Sequence, residues 1–365
     1  MKKNIRAKNP SKRSNRPAET GETAGIDLGD KVSRYCLLNE GGQVIEEGTF
    51  RNTENSIQKC FGPWGRTRIA LETGTQSGWI SRQLSGYGHE VIVAHARELR
   101  GITHSDRKND RNDAEKLARY ARLDPELLHP VQHRDEQQQV DLSVVRARDA
   151  LVRARTLLVN AARGLAKVHG ERLPPTVTKT FGQRAQEKIS LVLLYALRPL
   201  LAQIDQLTDQ IEHYDSLVER IAQARYPETI PLRSIPSIGP ITALTFVLTL
   251  GDRKRFTRSR DVGAYLGLQP RQQQSGEHDP QLGITKAGNS YLRKLLVQCA
   301  HYTLGHFGRD SRLRQWGLAL AERGGKNAKK RAIVAVARKL AVLLHRLWVS
   351  GQTYQPFSAQ PEVIS

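Results

Sequence analysis

Cysteine is scarce in this chain. Cys36, Cys60 and Cys299 are its only three, far apart and odd in number. That excludes a disulfide framework and any paired CxxC zinc site, and it makes a reducing compartment, the cytoplasm, the expectation. Long hydrophobic runs are missing as well. The longest, ISLVLLYALRPLL, is interrupted by Arg198 and Pro199 and falls short of the roughly 20 apolar residues that a bilayer crossing needs. No membrane partner is therefore expected. The basic start MKKNIRAKNPSKRSNRPAET is followed by no apolar core, so it does not read as a secretory signal. Acid is in deficit too. Asp and Glu total 36 against 57 Lys and Arg, a formal charge of +21, which points to a polyanionic partner, nucleic acid before an anionic membrane. What is present is enough for a core: 38% of the chain is apolar, and 365 residues allow two or three domains.

Patterning divides the chain. Residues 1–20 hold seven Lys or Arg, one acid and no periodicity, and read as a disordered basic arm. Residues 21–125 read as a compact α/β unit. Its strands are expected at Ala24–Leu28, Val32–Leu38, Val44–Phe50, Thr67–Glu72 and Val91–Ala94, and its helices at Ser56–Phe61, Gly78–Ser85 and Asp113–Leu123. Residues 130–228 read as a long antiparallel helical hairpin. In 135–168 the spacing of Val140, Val144, Ala147, Leu151, Ala154, Leu158, Ala161 and Leu165 predicts an apolar seam, with Arg146, Arg148, Arg153, Arg155 and Arg163 on the opposite face. A second helix is predicted over 186–224, and the Pro- and Thr-rich Gly170–Phe181 separates the two. The plain reading of this pair is a spacer or dimerisation coiled coil. Residues 229–350 read as a mainly α unit with helices after Gly239, Ser290 and Lys326, and 351–365 as a flexible tail.

Four carboxylates stand where such a fold can build chemistry. Asp27 closes an apolar run in GIDLG, and Glu72 closes another in IALETGT. Asp110 and Asp113 open the helical pattern of KNDRNDAEKLA. Strand-end acids are fixed by the sheet, and residues three apart share a helix face. A βββαβα order with acids at those places reads as an RNase H-like metal site. Hard oxygen ligands suit Mg2+, and two ions about 3.5–4 Å apart can serve the attacking and leaving oxygens of a phosphoryl transfer. Singly, each acid has a plainer reading: Asp113 as the N-cap of its helix, Glu72 as a surface acid at a strand end. Their joint placement favours metal. Asp106 is a weaker candidate, being farther from Asp113. GIDLG alone also occurs in actin-like sugar kinases. The chain shows no second Gly-rich phosphate loop, and its charge of +21 does not suit a kinase.

Two more motifs lie in the last third. SIPSIGPITALTFV places Gly239 between two short helical segments, in the manner of a helix-hairpin-helix, whose turn points backbone N–H groups at a phosphate. An ordinary αα turn is the plainer reading. Arg253, Lys254, Arg255, Arg258 and Arg260 form a basic stripe nearby. In YLGLQPRQQQSGEHDPQLGITKAGNSYLRKLL, Ser275 precedes Gly276 in a polar loop. A serine hydroxyl becomes a nucleophile only with help from a base, a metal or cations. Arg271, Lys286 and Arg293 are candidates to hold a phosphate. On its residues alone the loop is a polar connection, with Gly283, Gly288 and Asn289 as turn residues.

In this order GIDLG, LETGT, KNDRNDAEKLA, the helical pair, IPSIGPITA, YLGLQP, the Ser275–Gly276 loop and GITKAGNSYLRKLL resemble the DEDD-type insertion-sequence transposases, also called bridge-RNA-guided recombinases. The resemblance spans roughly residues 22–350. It implies a RuvC-like domain, a coiled-coil insertion and a C-terminal transposase domain. It implies Asp27, Glu72, Asp110 and Asp113 as Mg2+ ligands and Ser275 as a nucleophile that becomes linked to DNA. It further implies a homo-oligomer, dimer or tetramer, whose site combines the RuvC-like domain of one protomer with the serine domain of another. An element-encoded guide RNA would pair with target and donor DNA, in a bacterial cytoplasm at the nucleoid. RQQQSG departs from relatives with a second serine or a small residue before the nucleophile, but Gly276 and GITKAGN keep Ser275 in place. Two other functions are open: a Holliday-junction-type endonuclease using metal-activated water, which would tolerate loss of Ser275, and a non-catalytic nucleic-acid-binding scaffold with structural acids.

Overall fold

The computed structural model describes residues 21–95, 110–173, 175, 177–272, 282–325 and 327–357, the side chains of Asp110 and Arg111 excepted. The basic arm and the last residues of the tail lie outside them. The chain divides into two compact units, Met1–Arg134 and Asp135–Ser365.

The first unit is a five-stranded mixed sheet with helices on both faces. β1 (Thr23–Asp27), β2 (Val32–Leu38) and β3 (Val44–Arg51) form an antiparallel meander, and β4 (Arg68–Glu72) and β5 (Glu90–Ala94) extend it in parallel with β1. The order β3-β2-β1-β4-β5 is consistent with the RNase H-like expectation. Gly42, at φ +79°, closes the β2–β3 turn, where the Asn39 side chain accepts from the Gln43 N–H. Side chains alternate across the sheet. Ile26, Leu71 and Val93 join Tyr35, Phe50, Phe61 and Trp64 beneath α1 (Glu54–Phe61) and α2 (Ser77–Gly86). Ala70, Ile92 and Ala94 face the other way, against Leu117 and Ala121 of α3 (Asp110–Leu123). The rings of Phe61 and Trp64 meet edge to face with centroids 4.8 Å apart. His89 is buried beside them. It accepts the Thr67 N–H on Nδ1 and lies 3.1 Å from the Phe61 carbonyl through Nε2, which therefore carries the proton of a neutral ring.

In the second unit α4 (Glu136–Val168) and α6 (Leu191–Arg225) pair antiparallel: Asp141 meets Arg225 and Tyr226, Arg148 meets Asp215, and Arg155 meets Thr208. The second helix does not run unbroken from residue 186. α5 (Phe181–Lys188) ends first, and α6 starts at Leu191 because the Ser190 hydroxyl caps it, accepting from the Leu193 N–H at 3.4 Å. The seam of α4 also lies one residue from the predicted stripe. Val140 and Leu165 are 53% and 47% exposed, and the buried line runs through Asp141, Val145, Val159, Ala162 and Ala166, with half-buried Arg148 and Arg155 between them. Two stripes one residue apart share the same periodicity: most of the predicted one, Val144, Ala147, Leu151, Ala154 and Leu158, is half-buried, and placing every arginine outside misses the deeper one. Arg148 and Arg155 are tolerated inside because each finds a polar partner, Arg148 in Asp215 and Arg155 in the Thr208 hydroxyl at 3.2 Å.

The remaining helices are α7 (Thr229–Leu232), α8 (Pro240–Leu250), α9 (Asp261–Tyr265), α10 (Ser290–Leu304), α11 (Arg312–Glu322) and α12 (Ala328–Ser350). α8 is the centre: every residue from Thr242 to Leu250 is buried. Around it pack Leu292 and Leu296 of α10, Val336 and Leu340 of α12, and Leu142, Val145, Val218 and Ile221 from the base of the hairpin. The sequence pattern misses α11, in which only Leu313 and Gly317 are buried, too thin a stripe to register. Among the described residues no helix is long and apolar enough to cross a membrane.

Buried His345 of α12 mirrors His89: its ring nitrogens bind the Ser259 hydroxyl at 2.9 Å and the Arg253 carbonyl at 3.0 Å. Burial lowers the pKa of both rings from the ordinary 6.5. The unfolded chain therefore takes up protons below pH 6.5 that the folded chain refuses until lower pH. The stability these rings contribute is whole above that pH and is lost as pH falls through their folded-state values. Thermal melts across pH 5 to 8 should show a plateau above 7 and a decline below 6.5. That decline should be shallower in His89→Gln and His345→Gln, and unchanged slopes in both variants would refute the assignment.

Candidate active site

The sheet brings two of the four acids together. Ile26 and Leu71 are the last residues paired between β1 and β4, so Asp27 and Glu72 come next on neighbouring parallel strands, which run about 4.8 Å apart. Both are half-buried. Alternation puts them on the same face as Gly25 and Ala70, the face that α3 covers.

α3 lies directly on the backbone of β1. A Cβ on Gly25 would collide with the Ala114 carbonyl oxygen and stand 2.5 Å from the Ala118 amide nitrogen. The helix meets the sheet through Ala114, Ala118 and Ala121, all fully buried. Its direction follows from its polar ties. Arg119 and Arg122 donate to the carbonyls of Gly42 (3.2 Å) and Glu40 (2.9 Å), just past the end of β2 that pairs with Thr23. Arg68, the first residue of β4, reaches the Ala121 carbonyl at 3.4 Å. The C-terminal turn of α3 thus lies where β1 and β4 begin. The helix runs antiparallel to them, and its first turn, with Asp110 and Asp113, comes to the sheet edge where Asp27 and Glu72 stand.

Asp113 sits one residue before Ala114 and one turn before Leu117, beside the sheet-facing stripe. Its carboxylate is 3.8 Å from Lys116 and its side chain 25% exposed. The helix begins at Asp110, so Asp113 lies inside it and is not its N-cap. The expected donors are all carboxylates, which would suit a hard divalent cation. Among the described residues no three His, Cys, Asp or Glu side chains come together as a metal-binding group. The side chain of Asp110, the fourth member of the expected set, lies outside the description.

Ser275 and Gly276 also lie outside the described residues, but the stem of their loop does not. Pro270 bridges Ile284 in antiparallel fashion, Arg271 N–H donates to the Gly283 carbonyl at 3.0 Å, and Thr285 N–H donates to the Gln269 carbonyl at 2.9 Å. The glycines of YLGLQP and TKAGN make this packing possible. Gly267 (φ +67°) and Gly288 (φ +69°) lie so close to the backbones of Ala287 and Tyr265 that neither has room for a Cβ. Arg271 and Lys286 are exposed at the stem, and Lys286 holds the left-handed φ of +56°. Arg293 is half-buried and donates to the carbonyls of Leu266 (2.9 Å) and Ala287 (2.6 Å), so it ties the stem to α10. Gly239 is exposed at the head of α8, and the helix before it, α7, is a single turn.

A family model described as "Transposase IS116/IS110/IS902 family" matches residues 231–315, and a transposase model of the DEDD group of IS110 matches residues 24–169. The transposase for insertion sequence element IS1111A of Coxiella burnetii is 30% identical over 339 residues, covering 91% of this chain and 90% of that one. The transposase for insertion sequence element IS1328 of Yersinia enterocolitica is 33% identical over 343 residues, covering 90% and 97%. This chain belongs to the IS110/IS116 family of insertion-sequence transposases.

In this transposase the two matched segments hold different parts of the candidate site. The DEDD segment contains the four acids, and the C-terminal segment contains Gly239, Arg271, Ser275, Lys286 and Arg293. Sequence reasoning passed over Gly25, which helps to build it, and His95. Gly25 reads as one more glycine of GIDLG, yet it sets the height of α3. His95, one residue beyond β5, has a buried Nδ1 with no hydrogen-bond partner among the described residues, and a lone histidine carries no signal in the sequence.

Substituting Gly25→Ala should push α3 away from β1 and cost at least about 1–3 kcal/mol of stability in denaturant titrations, with a matching loss of transposition. Gly86→Ala in α2, where a Cβ meets nothing within 4 Å, should leave stability within about 0.5 kcal/mol of wild type.

Proposed function

We propose that this transposase cuts and rejoins DNA by phosphoryl transfer at a centre of two Mg2+ ions held by Asp27, Glu72, Asp110 and Asp113, with Ser275 as the attacking group. The observation that supports it most is the meeting of Asp27 and Glu72 at adjacent strand ends, with the first turn of α3 brought to the same edge. Mg2+ bound there would offset charge at the scissile phosphate. The carboxylates would hold it from the strand ends and the first turn of α3, whose approach Gly25 allows.

In the serine step the Ser275 Oγ–phosphorus bond forms as the phosphorus–oxygen bond to the deoxyribose breaks. The serine proton passes to the released strand hydroxyl. The phosphoserine link retains the phosphodiester's free energy, so the reverse attack by a strand hydroxyl rejoins DNA without ATP. Arg271 and Lys286, exposed at the stem of the Ser275 loop, would attract the phosphate, with Arg293 holding the stem and Gly239 offering an exposed turn to the DNA backbone. The reading extends to an element-encoded guide RNA that selects the DNA, to a homo-oligomer whose protomers complete one another's sites, and to action at the bacterial nucleoid. The charge of +21 supports polynucleotide partners.

The test is recovery of protein–DNA adducts, under denaturing conditions, from cells carrying the whole element. DNA attached to wild type and absent from Ser275→Ala is expected. Recombination products without any adduct would transfer the attack to water, as in a junction endonuclease. Asp27→Asn and Glu72→Gln should each reduce recombination by at least about 100-fold, in line with the several kcal/mol that a metal contributes to charge stabilisation, and normal recombination by either would remove the metal centre.

A further inference from the structure

The molecule carries a second cationic surface apart from the Ser275 stem. Arg253, Lys254, Arg255, Arg258 and Arg260 fall within eight residues, and all five are exposed. None makes an ion pair among the described residues, although Asp252 and Asp261 flank them. Asp252 is engaged in the backbone, its carboxylate accepting from the Lys254 N–H at 2.8 Å.

Such a run on a loose loop would be an ordinary solvated surface. Here it is fastened from beneath. The ring of His345, 1% exposed, accepts the Ser259 hydroxyl on Nδ1 and donates to the Arg253 carbonyl through Nε2, gripping both ends of the segment. Phe256 packs edge to face on the same ring with centroids 5.8 Å apart. The Arg255 guanidinium lies 4.8 Å over the Tyr265 ring, which restricts its orientation. The carbonyls of Arg258, Ser259 and Arg260 accept from the first amides of α9. Five charges are thus held on a fixed backbone before any ligand arrives, which reduces the ordering cost of binding. Four of the five are arginines, whose planar forks match phosphate oxygens.

We infer that Arg253–Arg260 is a clamp for the phosphate backbone of DNA, and that His345 is its positioning residue. The inference rests on the reading of this chain as a DNA-acting transposase and names a surface that the four acids and Ser275 do not include. Arginine contacts to phosphates carry no sequence information, so the clamp holds duplexes of any sequence alike.

The test is fluorescence anisotropy of the full-length protein with 30-base-pair duplexes of unrelated sequence over a salt series. The triple variant Arg253→Ala/Arg258→Ala/Arg260→Ala removes only exposed side chains and should melt like wild type. Its plot of log affinity against log salt should be shallower by about 0.9 for each phosphate it no longer neutralises, with binding about 10- to 100-fold weaker at moderate salt on every duplex. An unchanged slope would overturn the clamp. A change seen only with single-stranded RNA of equal length would overturn its assignment to DNA. His345→Leu should weaken duplex binding, and His345→Gln, which keeps one donor and one acceptor, should restore it. Wild-type binding by a folded His345→Leu would end the positioning role. An unchanged slope alongside Ser275-dependent adducts removes the clamp alone, whereas the expected slopes without adducts remove the serine mechanism alone.

Discussion

The candidate site depends on how closely α3 approaches β1. At Gly25 helix backbone rests on strand backbone, and a single Cβ would part them. The contact works because the facing helix positions are alanines and because three arginine-to-carbonyl bonds fix the direction of the helix. Height and direction together decide which acids meet. With the helix raised, Asp113 leaves the sheet edge. With the helix reversed, its first turn lies at the wrong end of the strands. The acids proposed to share a cation would repel one another in its absence, so such a site needs a scaffold that holds them by packing. The aromatic cluster on the opposite face of the sheet, formed by Tyr35, Phe50, Phe61 and Trp64, supplies a rigid support for that packing.

The second unit is organised around a buried charge. Asp141, 1% exposed, accepts from Arg225, from the Tyr226 hydroxyl at 2.9 Å and from Gln137 at 3.2 Å. A carboxylate so placed is tolerable only with its acceptor sites filled. The groups that fill them come from both ends of the hairpin's chain path, and so they close its base against the core around α8. The same economy of backbone appears at the Ser275 loop, where Gly267 and Gly288 let two chain segments touch and Arg293 takes up their carbonyls.

Much of this was legible in the sequence, and the failures share a cause. The five strands stood out because each is a short apolar run bounded by turn residues, and Asp27 and Glu72 were visible as the acids that end two of them. The two long helices were visible by period. Period does not report phase when arginine occupies the seam, and so Arg148 and Arg155 were placed outside. Nor does it report helices with a thin buried stripe, such as α11. The role of Gly25 was hidden because a glycine at a backbone contact looks like a glycine in a turn. Ser275 drew attention only through its motif, since nothing in a polar loop marks one serine as reactive, and the run from Arg253 to Arg260 showed its charge but not the buried histidine beneath it.

The polar seam of the hairpin has a mechanical consequence. Arg148 and Arg155 are seven residues apart, and so are their partners Asp215 and Thr208. If the helices slid by one heptad, Arg155 would inherit Asp215, but Arg148 would be driven against buried Ala222 and Asp141 would lose Arg225. An all-apolar seam would meet no such penalty. The 33-residue α4 is about 50 Å long, and with its register locked the pair is a strut that cannot telescope. Its reach is set by chain length alone, so insertions or deletions in it would be tolerated only in matched steps on both helices.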